Sequence, residues 1–241
     1  MIDRVEQIYN KYISKFSEID PEPGVLYIVS TPIGNLEDLS FRAVNTLAKS
    51  DIIACEDTRV TNHLLKQYDI FSKSVSYHSY NETSKLQYLI SSLKNEKIVS
   101  LVSDAGTPCI SDPGNILVSE CIKENIKVHS VPGCSSLIHA LVLSGFTLRY
   151  FYFQGFLPQK KNRQSVLSSL CSIKMPIIIF ESPYRIEKLL TEIQEIFGNK
   201  EISVSREMTK KFEQTLRGNV RQILKMNIKQ KGEFVIIINN I

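Results

Sequence analysis

The chain has 241 residues, which is long enough for one large domain or two modest ones. Its hydrophobic content of 43% and charged content of 22% are ordinary for a folded soluble protein, and exclude a disordered chain. The net charge of +4 is unevenly distributed: residues 1–141 carry 13 basic against 17 acidic side chains, whereas residues 142–241 carry 16 against 8. A basic second half favours a polyanionic partner, although a solvated lysine-rich surface explains the same charge equally well.

The cysteines and histidines indicate neither disulfides nor a metal centre. The cysteines at positions 55, 109, 121, 134 and 171 form an odd set without C-x-x-C spacing, which predicts reduced thiols in the cytoplasm. The histidines lack partners at ligand spacing, so we expect no metal site. We also expect no signal peptide and no membrane segment, because charge begins at Asp3 and no apolar run approaches spanning length.

In chain order, the first half alternates strand-like and helix-like segments. Residues 3–16 predict an amphipathic helix, and the Pro- and Gly-containing segment 20–24 interrupts the chain after it. Strands are predicted at 25–30, 51–55, 74–77, 97–102 and 127–131, and helices from about 40, at 61–68, at 82–94 and at 116–124. Repeated strand–loop–helix units of this kind predict a mainly parallel sheet covered by helices.

A linker is expected at 144–148, after which the pattern changes. Strands are predicted at 150–154, 176–180, 201–205 and 233–239, with a further segment at 213–217 and helices at 163–172, 183–197 and 219–227. Because the last strands do not alternate with helices, a mixed sheet is favoured. We therefore predict an α/β fold with an extension at 1–23, an N-terminal domain at 24–144 and a C-terminal domain at 149–241.

The most informative segment is the loop at 103–114, which joins a strand-like run to a helix start. Gly106-Thr107-Pro108 and Asp112-Pro113-Gly114 punctuate it, and small residues let a ligand approach main-chain N–H and C=O groups. Loops at 30–35 and 132–136 follow other strands, and open α/β sheets bind ligands at this edge. None of the three matches G-x-G-x-x-G or a P-loop, and a simple linker remains the alternative.

Six motifs occur in order along most of the chain. They are Ser30-Thr31-Pro32-Ile33-Gly34-Asn35-Leu36, Glu56-Asp57-Thr58-Arg59, Ser103-Asp104-Ala105-Gly106-Thr107-Pro108 with Ser111-Asp112-Pro113-Gly114, Gly155-Phe156-Leu157-Pro158, Glu181-Ser182-Pro183 with Arg185, and Arg206-Glu207-Met208-Thr209-Lys210. Together they resemble the ribosomal RNA small subunit methyltransferase I family, the 16S rRNA cytidine-2'-O-methyltransferases of the tetrapyrrole methylase superfamily. The resemblance implies a two-domain tetrapyrrole-methylase-like fold, a homodimer, and S-adenosylmethionine bound in the cleft between the domains.

The resemblance also implies a cofactor site built largely from main-chain groups. Its residues would be Pro32, Ile33, Asp104, Gly106, Thr107, Pro108, Ile110, Gly133, Cys134 and Ser135, with Phe180, Glu181 and Ser182 on the far wall. Amides can bind the carboxylate of such a ligand, and carbonyls can face its cationic sulfur. Cys109 and Cys134 stand where Leu and Pro are expected, and both are small enough to leave the backbone path unchanged.

Methyl transfer to a ribose hydroxyl benefits from a base that accepts the hydroxyl proton. We rank Asp57 first for this role, ahead of Glu56, Glu181 and Glu207, with Arg59 and Lys210 as groups that stabilise the developing alkoxide. Asp57 could instead cap a helix and pair with Arg59, and Glu207 could pair with Lys210. His78 and Glu82 form a second polar cluster.

For the substrate, Phe156, Lys160, Lys161 and Arg163 combine an aromatic ring with basic residues on one loop, which suits a splayed RNA nucleotide. Lysines that only keep the surface solvated are the alternative. The leading hypothesis is S-adenosylmethionine-dependent 2'-O-methylation of a cytidine in 16S rRNA of the 30S subunit. A small-molecule methylase of the tetrapyrrole type and a non-catalytic RNA-binding protein are the alternatives, and the basic second half disfavours the first of these.

Overall fold

The computed structural model describes residues 20–241, so the helix expected at 3–16 lies outside the described residues. The described chain divides into two compact units after Cys134. We expected the division between residues 144 and 149. It falls earlier because the helix Ser136–Ser144 packs against strands of the second unit.

The first unit contains a five-stranded sheet in which every strand pair is parallel. Its strands are β1 (Leu26–Val29), β2 (Ile52–Cys55), β3 (Lys73–Ser76), β4 (Val99–Val102) and β5 (Val128–Val131), in the spatial order β3-β2-β4-β1-β5. Its helices are α1 (Phe41–Lys49), α2 (Thr58–Gln67), α3 (Glu82–Lys94) and α4 (Asn115–Lys123), and a 3-10 turn spans Leu36–Asp38. The predicted parallel sheet is confirmed.

Both faces of the central strands β1, β2 and β4 are buried, as a parallel sheet between helices requires, whereas the edge strands β3 and β5 are partly exposed. Tyr27 and Val29 of β1 enter one apolar cluster, whereas Leu26 and Ile28 enter another on the opposite face. The carboxyl ends of the strands and the loops that follow them are therefore the part of this unit that can bind a ligand. Because the strands are parallel, all five carboxyl ends lie at the same edge of the sheet.

The second unit contains a mixed five-stranded sheet, also as predicted. Its elements are α5 (Ser136–Ser144), β6 (Tyr152–Phe156), α6 (Arg163–Leu170), β7 (Ile177–Glu181), α7 (Ile186–Phe197), β8 (Glu201–Arg206), β9 (Gln214–Asn219), α8 (Val220–Leu224) and β10 (Phe234–Ile238). The order is β6-β7-β10-β8-β9, in which only β6 and β7 run parallel. Consequently the loops after β6 and β7 leave the sheet at the same end.

Between residues 20 and 241, no helix is long and apolar enough to cross a membrane. The five cysteines form no disulfide. Asn81 precedes α3, but its side chain does not cap the helix. It accepts a hydrogen bond from the His78 N–H at 2.8 Å and donates to the Ser76 carbonyl at 3.3 Å, which orders the loop after β3.

Candidate active site

Main-chain hydrogen bonds join the loops that follow β1 and β4. The Thr31 N–H donates to the Gly106 carbonyl at 2.9 Å, and the Gly106 N–H donates to the Thr31 carbonyl at 3.1 Å. The Thr31 hydroxyl adds a bond to the Ser103 carbonyl at 3.1 Å. Because β1 and β4 are neighbours in the sheet, these bonds hold the two loops together just beyond its carboxyl edge.

Thr107 connects the loop after β5 to the other two. Its hydroxyl donates to the Cys134 carbonyl at 3.0 Å and lies 2.9 Å from the Ser30 hydroxyl. Since the single Thr107 proton is used on Cys134, Ser30 is the donor in the second bond. Gly133 lies so close that an added Cβ would be 3.0 Å from the Ser30 Cβ. The three loops expected to form the cofactor site therefore meet at one point.

Two glycines keep side chains out of the loop after β4. Gly106 has a φ of +85°, and an added Cβ would lie 3.3 Å from Cγ2 of Ile33. Gly114 has a φ of +133°, and its added Cβ would overlap Cδ2 of Leu101 at 2.5 Å. The Gly114 N–H donates to Glu82 at 2.9 Å, so that member of the second polar cluster anchors the start of α4. Side-chain-free backbone at Gly106 is the feature that a main-chain binding site requires.

The remaining cofactor positions divide between the units. Pro32, Pro108, Ile110 and Cys134 lie in the three joined loops, with Pro32 and Pro108 buried and Ile110 exposed. Ser135 immediately precedes α5 and belongs to the second unit. Phe180, Glu181 and Ser182 lie at the end of β7. The Ser182 Oγ is buried without a hydrogen-bond partner among the described residues, which leaves a polar atom available to a ligand.

Asp57 and Arg59 form a local structural pair. Asp57 Oδ1 accepts the Arg59 N–H at 2.8 Å, capping α2, and Oδ2 lies 2.6 Å from the Arg59 Nη2. The hydrogen bond from the Arg59 guanidinium lowers the pKa of Asp57 to about 2. A carboxylate of such low basicity is a weak proton acceptor near neutral pH, which weighs against our first choice of base.

Glu56 has the opposite electrostatic environment. Burial raises the pKa of its carboxyl group, and the negative charge of Asp104 raises it further. Asp104 is fixed beside it because its Oδ1 accepts the Asp57 N–H at 3.1 Å. The Tyr77 N–H donates to the Cys55 carbonyl at 2.7 Å, which places the next residue, His78, alongside this edge. Of the acidic groups at the end of β2, Glu56 is thus the stronger base.

Glu181 and Arg163 lie in a buried ion-pair network, with exposed fractions of 1% and 2%. The Arg163 Nη2 is 2.8 Å from Glu181 Oε2, and its Nε is 2.9 Å from Glu192 Oε2. Glu181 Oε1 accepts bonds from Arg185 and from the Ser182 N–H. This corrects the placement of Arg163 on an RNA-contacting loop: it is the first residue of α6, and buried carboxylates occupy its guanidinium. Glu181 is likewise fully engaged, which does not suit a general base.

Other expected positions remain accessible. Phe156 is 53% exposed, and Lys160 and Lys161 are exposed in the loop after β6.

Glu207 pairs with Lys210 through an Oε1–Nζ distance of 3.0 Å, so the ion-pair alternative describes these two residues. In residues 20–241, no group of three or more His, Cys, Asp and Glu side chains is arranged to hold a metal ion.

Comparison with known proteins gives a consistent match. Residues 25–224 match the family model of the Tetrapyrrole (Corrin/Porphyrin) Methylases. The chain is 44% identical over 220 residues to a protein of Halalkalibacterium halodurans named ribosomal RNA small subunit methyltransferase I, spanning 90% of this chain and 76% of that protein. It is 44% identical over 218 residues to the protein of the same name from Thermotoga maritima, spanning 90% and 98%.

Solved structures show the same fold at low sequence identity. A diphthine synthase superposes with a TM-score of 0.69 at 13% identity, covering 89% of each chain. A cobalt precorrin-4 methyltransferase of cobalamin biosynthesis superposes with a TM-score of 0.64 at 17% identity, covering 89% of this chain and 94% of that one. At such identities the likeness concerns the fold alone.

Proposed function

The chain belongs to the ribosomal RNA small subunit methyltransferase I family of tetrapyrrole methylases, and we propose that it methylates the ribose 2'-hydroxyl of a cytidine in 16S rRNA. The methyl donor is S-adenosylmethionine. The substrate is rRNA within the 30S subunit, in the cytoplasm, and the working enzyme is a homodimer, as the resemblance of the motifs implies.

The observation that carries this proposal is the cradle formed by the joined loops after β1, β4 and β5. Thr31, Gly106, Thr107 and Cys134 tie these loops through hydrogen bonds of 2.9 to 3.1 Å. Gly106 keeps a Cβ out of the space beside Ile33 and Cys134. These hydrogen bonds use the amides of Thr31 and Gly106 themselves. A zwitterionic ligand with a sulfonium would therefore use other main-chain amides of these loops and the second lone pairs of their carbonyls, and the residues present fit the cofactor in this way.

The cofactor, when bound, supplies an electrophilic methyl group. The loops of the cradle would hold this group at the edge of the sheet and present its methyl group to the ribose hydroxyl. Glu56 accepts the hydroxyl proton, since its pKa is raised by burial and by the charge of Asp104. Asp57 caps α2 and fixes Arg59, which lies beside the same edge and can stabilise negative charge on the ribose oxygen.

Lys160, Lys161 and Phe156 contact the RNA. The exposed ammonium groups can bind phosphates. The Phe156 ring packs edge-to-face against Phe180 at a centroid distance of 5.5 Å, and its exposed part can stack on a base. The loop that carries them follows β6 directly, so a strand at the edge of the second sheet supports it. The net positive charge of residues 142–241 supports binding of a polyanion at this unit.

The test is transfer of labelled methyl groups from S-adenosylmethionine to purified 30S subunits. We expect label in 16S rRNA, at a ribose, and none in free tetrapyrroles or protein. Label in an added tetrapyrrole would contradict the proposal in favour of a small-molecule methylase. Tight binding to 30S subunits without transfer would contradict it in favour of a non-catalytic RNA-binding protein.

A further inference from the structure

The second unit contains an open, polar cavity of about 440 Å³ between the start of α6 and the middle of α7. The polar side chains that line it include Lys160, Asn162, Gln164, Ser165, Lys188 and Glu192. All of them carry hydrogen-bonding groups. Arg163 also lines the cavity, and it and Lys160 are the two lining residues that the sequence analysis named. The cavity lies beyond the end of β6, next to the loop proposed to contact RNA.

The charge of this cavity is positive despite the presence of an acid. Glu192 is 5% exposed, and its Oε2 lies 2.9 Å from the Arg163 Nε. Its Oε1 lies 3.8 Å from the Lys188 Nζ, which leaves the exposed Lys188 side chain free to turn to an anion in the cavity. Lys160 has no acidic partner within ion-pair distance among the described residues. One carboxylate therefore faces three cationic groups.

The wall of the cavity is rigid because the buried ion-pair network stands behind it. Arg163 binds Glu192 on one side and Glu181, at the end of β7, on the other at 2.8 Å. Glu181 in turn accepts the Ser182 N–H at 2.8 Å. The network thus fixes α6 and α7 against the sheet end before any ligand arrives, which lowers the entropic cost of binding.

We propose that this cavity binds a backbone phosphate of the RNA substrate through Lys188 and Lys160. The inference rests on the proposed function and names a substrate contact for it. Two ammonium groups with the amides of Asn162 and Gln164 and the hydroxyl of Ser165 offer charge and donors to phosphate oxygens. An open cavity admits a polymer, and the exposed Lys161, between Lys160 and Asn162 in the chain, adds a further positive charge. A phosphate contact of this kind fixes the register of the RNA without reading its sequence.

The test uses the full chain with Lys188→Ala, Lys188→Arg and the control Lys174→Ala. Lys174 is also exposed and lies before β7, at the opposite end of that strand from the cavity. Binding to 30S subunits is measured from low to high salt, without cofactor, and methyl transfer is measured separately. For Lys188→Ala we expect about tenfold weaker binding and a salt slope smaller by about one, since one phosphate contact is lost. Binding by Lys188→Arg should stay near the wild-type value, because the positive charge is retained.

Several results would overturn the proposal. Binding and salt slope of Lys188→Ala equal to those of Lys174→Ala would remove Lys188 from the RNA interface. A second contradicting result is that inorganic phosphate alone stabilises the wild type but not Lys188→Ala, while both bind 30S subunits equally. That result would assign the cavity to a free anion. Absence of methyl transfer by the wild type contradicts the proposed function instead, and the binding measurement still decides the role of the cavity.

Discussion

The Thr107 hydroxyl donates to the Cys134 carbonyl at 3.0 Å, and thereby links the loops of two strands that are not neighbours in the sheet. Strand β1 lies between them, and its loop joins the same point through Ser30, 2.9 Å from the Thr107 hydroxyl. One side chain thus fixes three loops whose backbone is proposed to bind the cofactor.

Thr107→Val keeps the shape of this side chain but removes its hydroxyl. We expect affinity for S-adenosylhomocysteine, measured by calorimetry, to fall about tenfold, since two hydrogen bonds of about 1 kcal/mol each are lost and the cradle loosens. Thr107→Ser, which keeps the hydroxyl, is the matched control and should bind within about twofold of the wild type. Equal affinities for the valine and serine variants would show that the link does not shape the site.

Glu56→Gln should lower kcat by about a hundredfold or more, the scale of a general base. In the wild type, kcat should rise with pH through the pKa of Glu56, because only the carboxylate accepts a proton and burial moves that pKa upward. If Asp57 were the base, its pKa of about 2 would give no such rise of kcat with pH in the working range of the enzyme. Glu56→Gln should abolish the rise of kcat with pH.

Asp57→Asn is the matched comparison, because the amide oxygen can still cap α2. We expect a smaller loss of kcat than in Glu56→Gln, and kcat should still rise with pH as in the wild type. Both are measured by methyl transfer at a series of pH values. A larger loss in Asp57→Asn, together with an unchanged Glu56→Gln enzyme, would return the role of base to Asp57.

The sheet architecture was predictable from the sequence, but the unit in which some segments pack was not. Apolar runs such as Ile52–Cys55 indicate strands buried on both faces, and the structure has them in a parallel sheet. Helix α5 is apolar at six of its nine positions, with Ala140 and Leu141 buried, so its sequence fits either unit. Its packing on β8 and β10 depends on strands more than fifty residues away, which local patterns do not encode.

The site shows the same division between local and distant information. Asp57 with Arg59 two residues later is a local cap pattern, and the sequence offered this alternative. Arg163, by contrast, follows Lys160 and Lys161 in what reads as an exposed basic loop. Its burial depends on ion pairs with Glu181 and Glu192, which lie 18 and 29 residues further along the chain. No local sequence pattern predicts these ion pairs.

Arg163→Met should destabilise the protein by about 3 to 5 kcal/mol, because it leaves buried carboxylates without their main partner. The free energy of unfolding is measured by urea denaturation. Lys97→Met is the control: it breaks the exposed pair with Asp51, at 3.1 Å, and should cost no more than about 1 kcal/mol. Similar midpoints for the two variants would show that the buried network contributes little to folding.

The double variant Lys160→Ala, Lys161→Ala should bind 30S subunits more weakly and with a flatter salt dependence, since two cations near the RNA are removed. The control is a double variant of the exposed Lys66 and Lys123, on α2 and α4, which has the same net charge. Equal salt slopes for the two double variants would count against the loop after β6 as an RNA contact.

The proposed activity is tested by a map of 2'-O-methyl groups on 16S rRNA from cells that lack this protein. We expect one 2'-O-methylcytidine to be missing, the wild-type chain to restore it, and Glu56→Gln to restore it poorly or not at all. A methylation map identical to that of cells containing the protein would contradict the account.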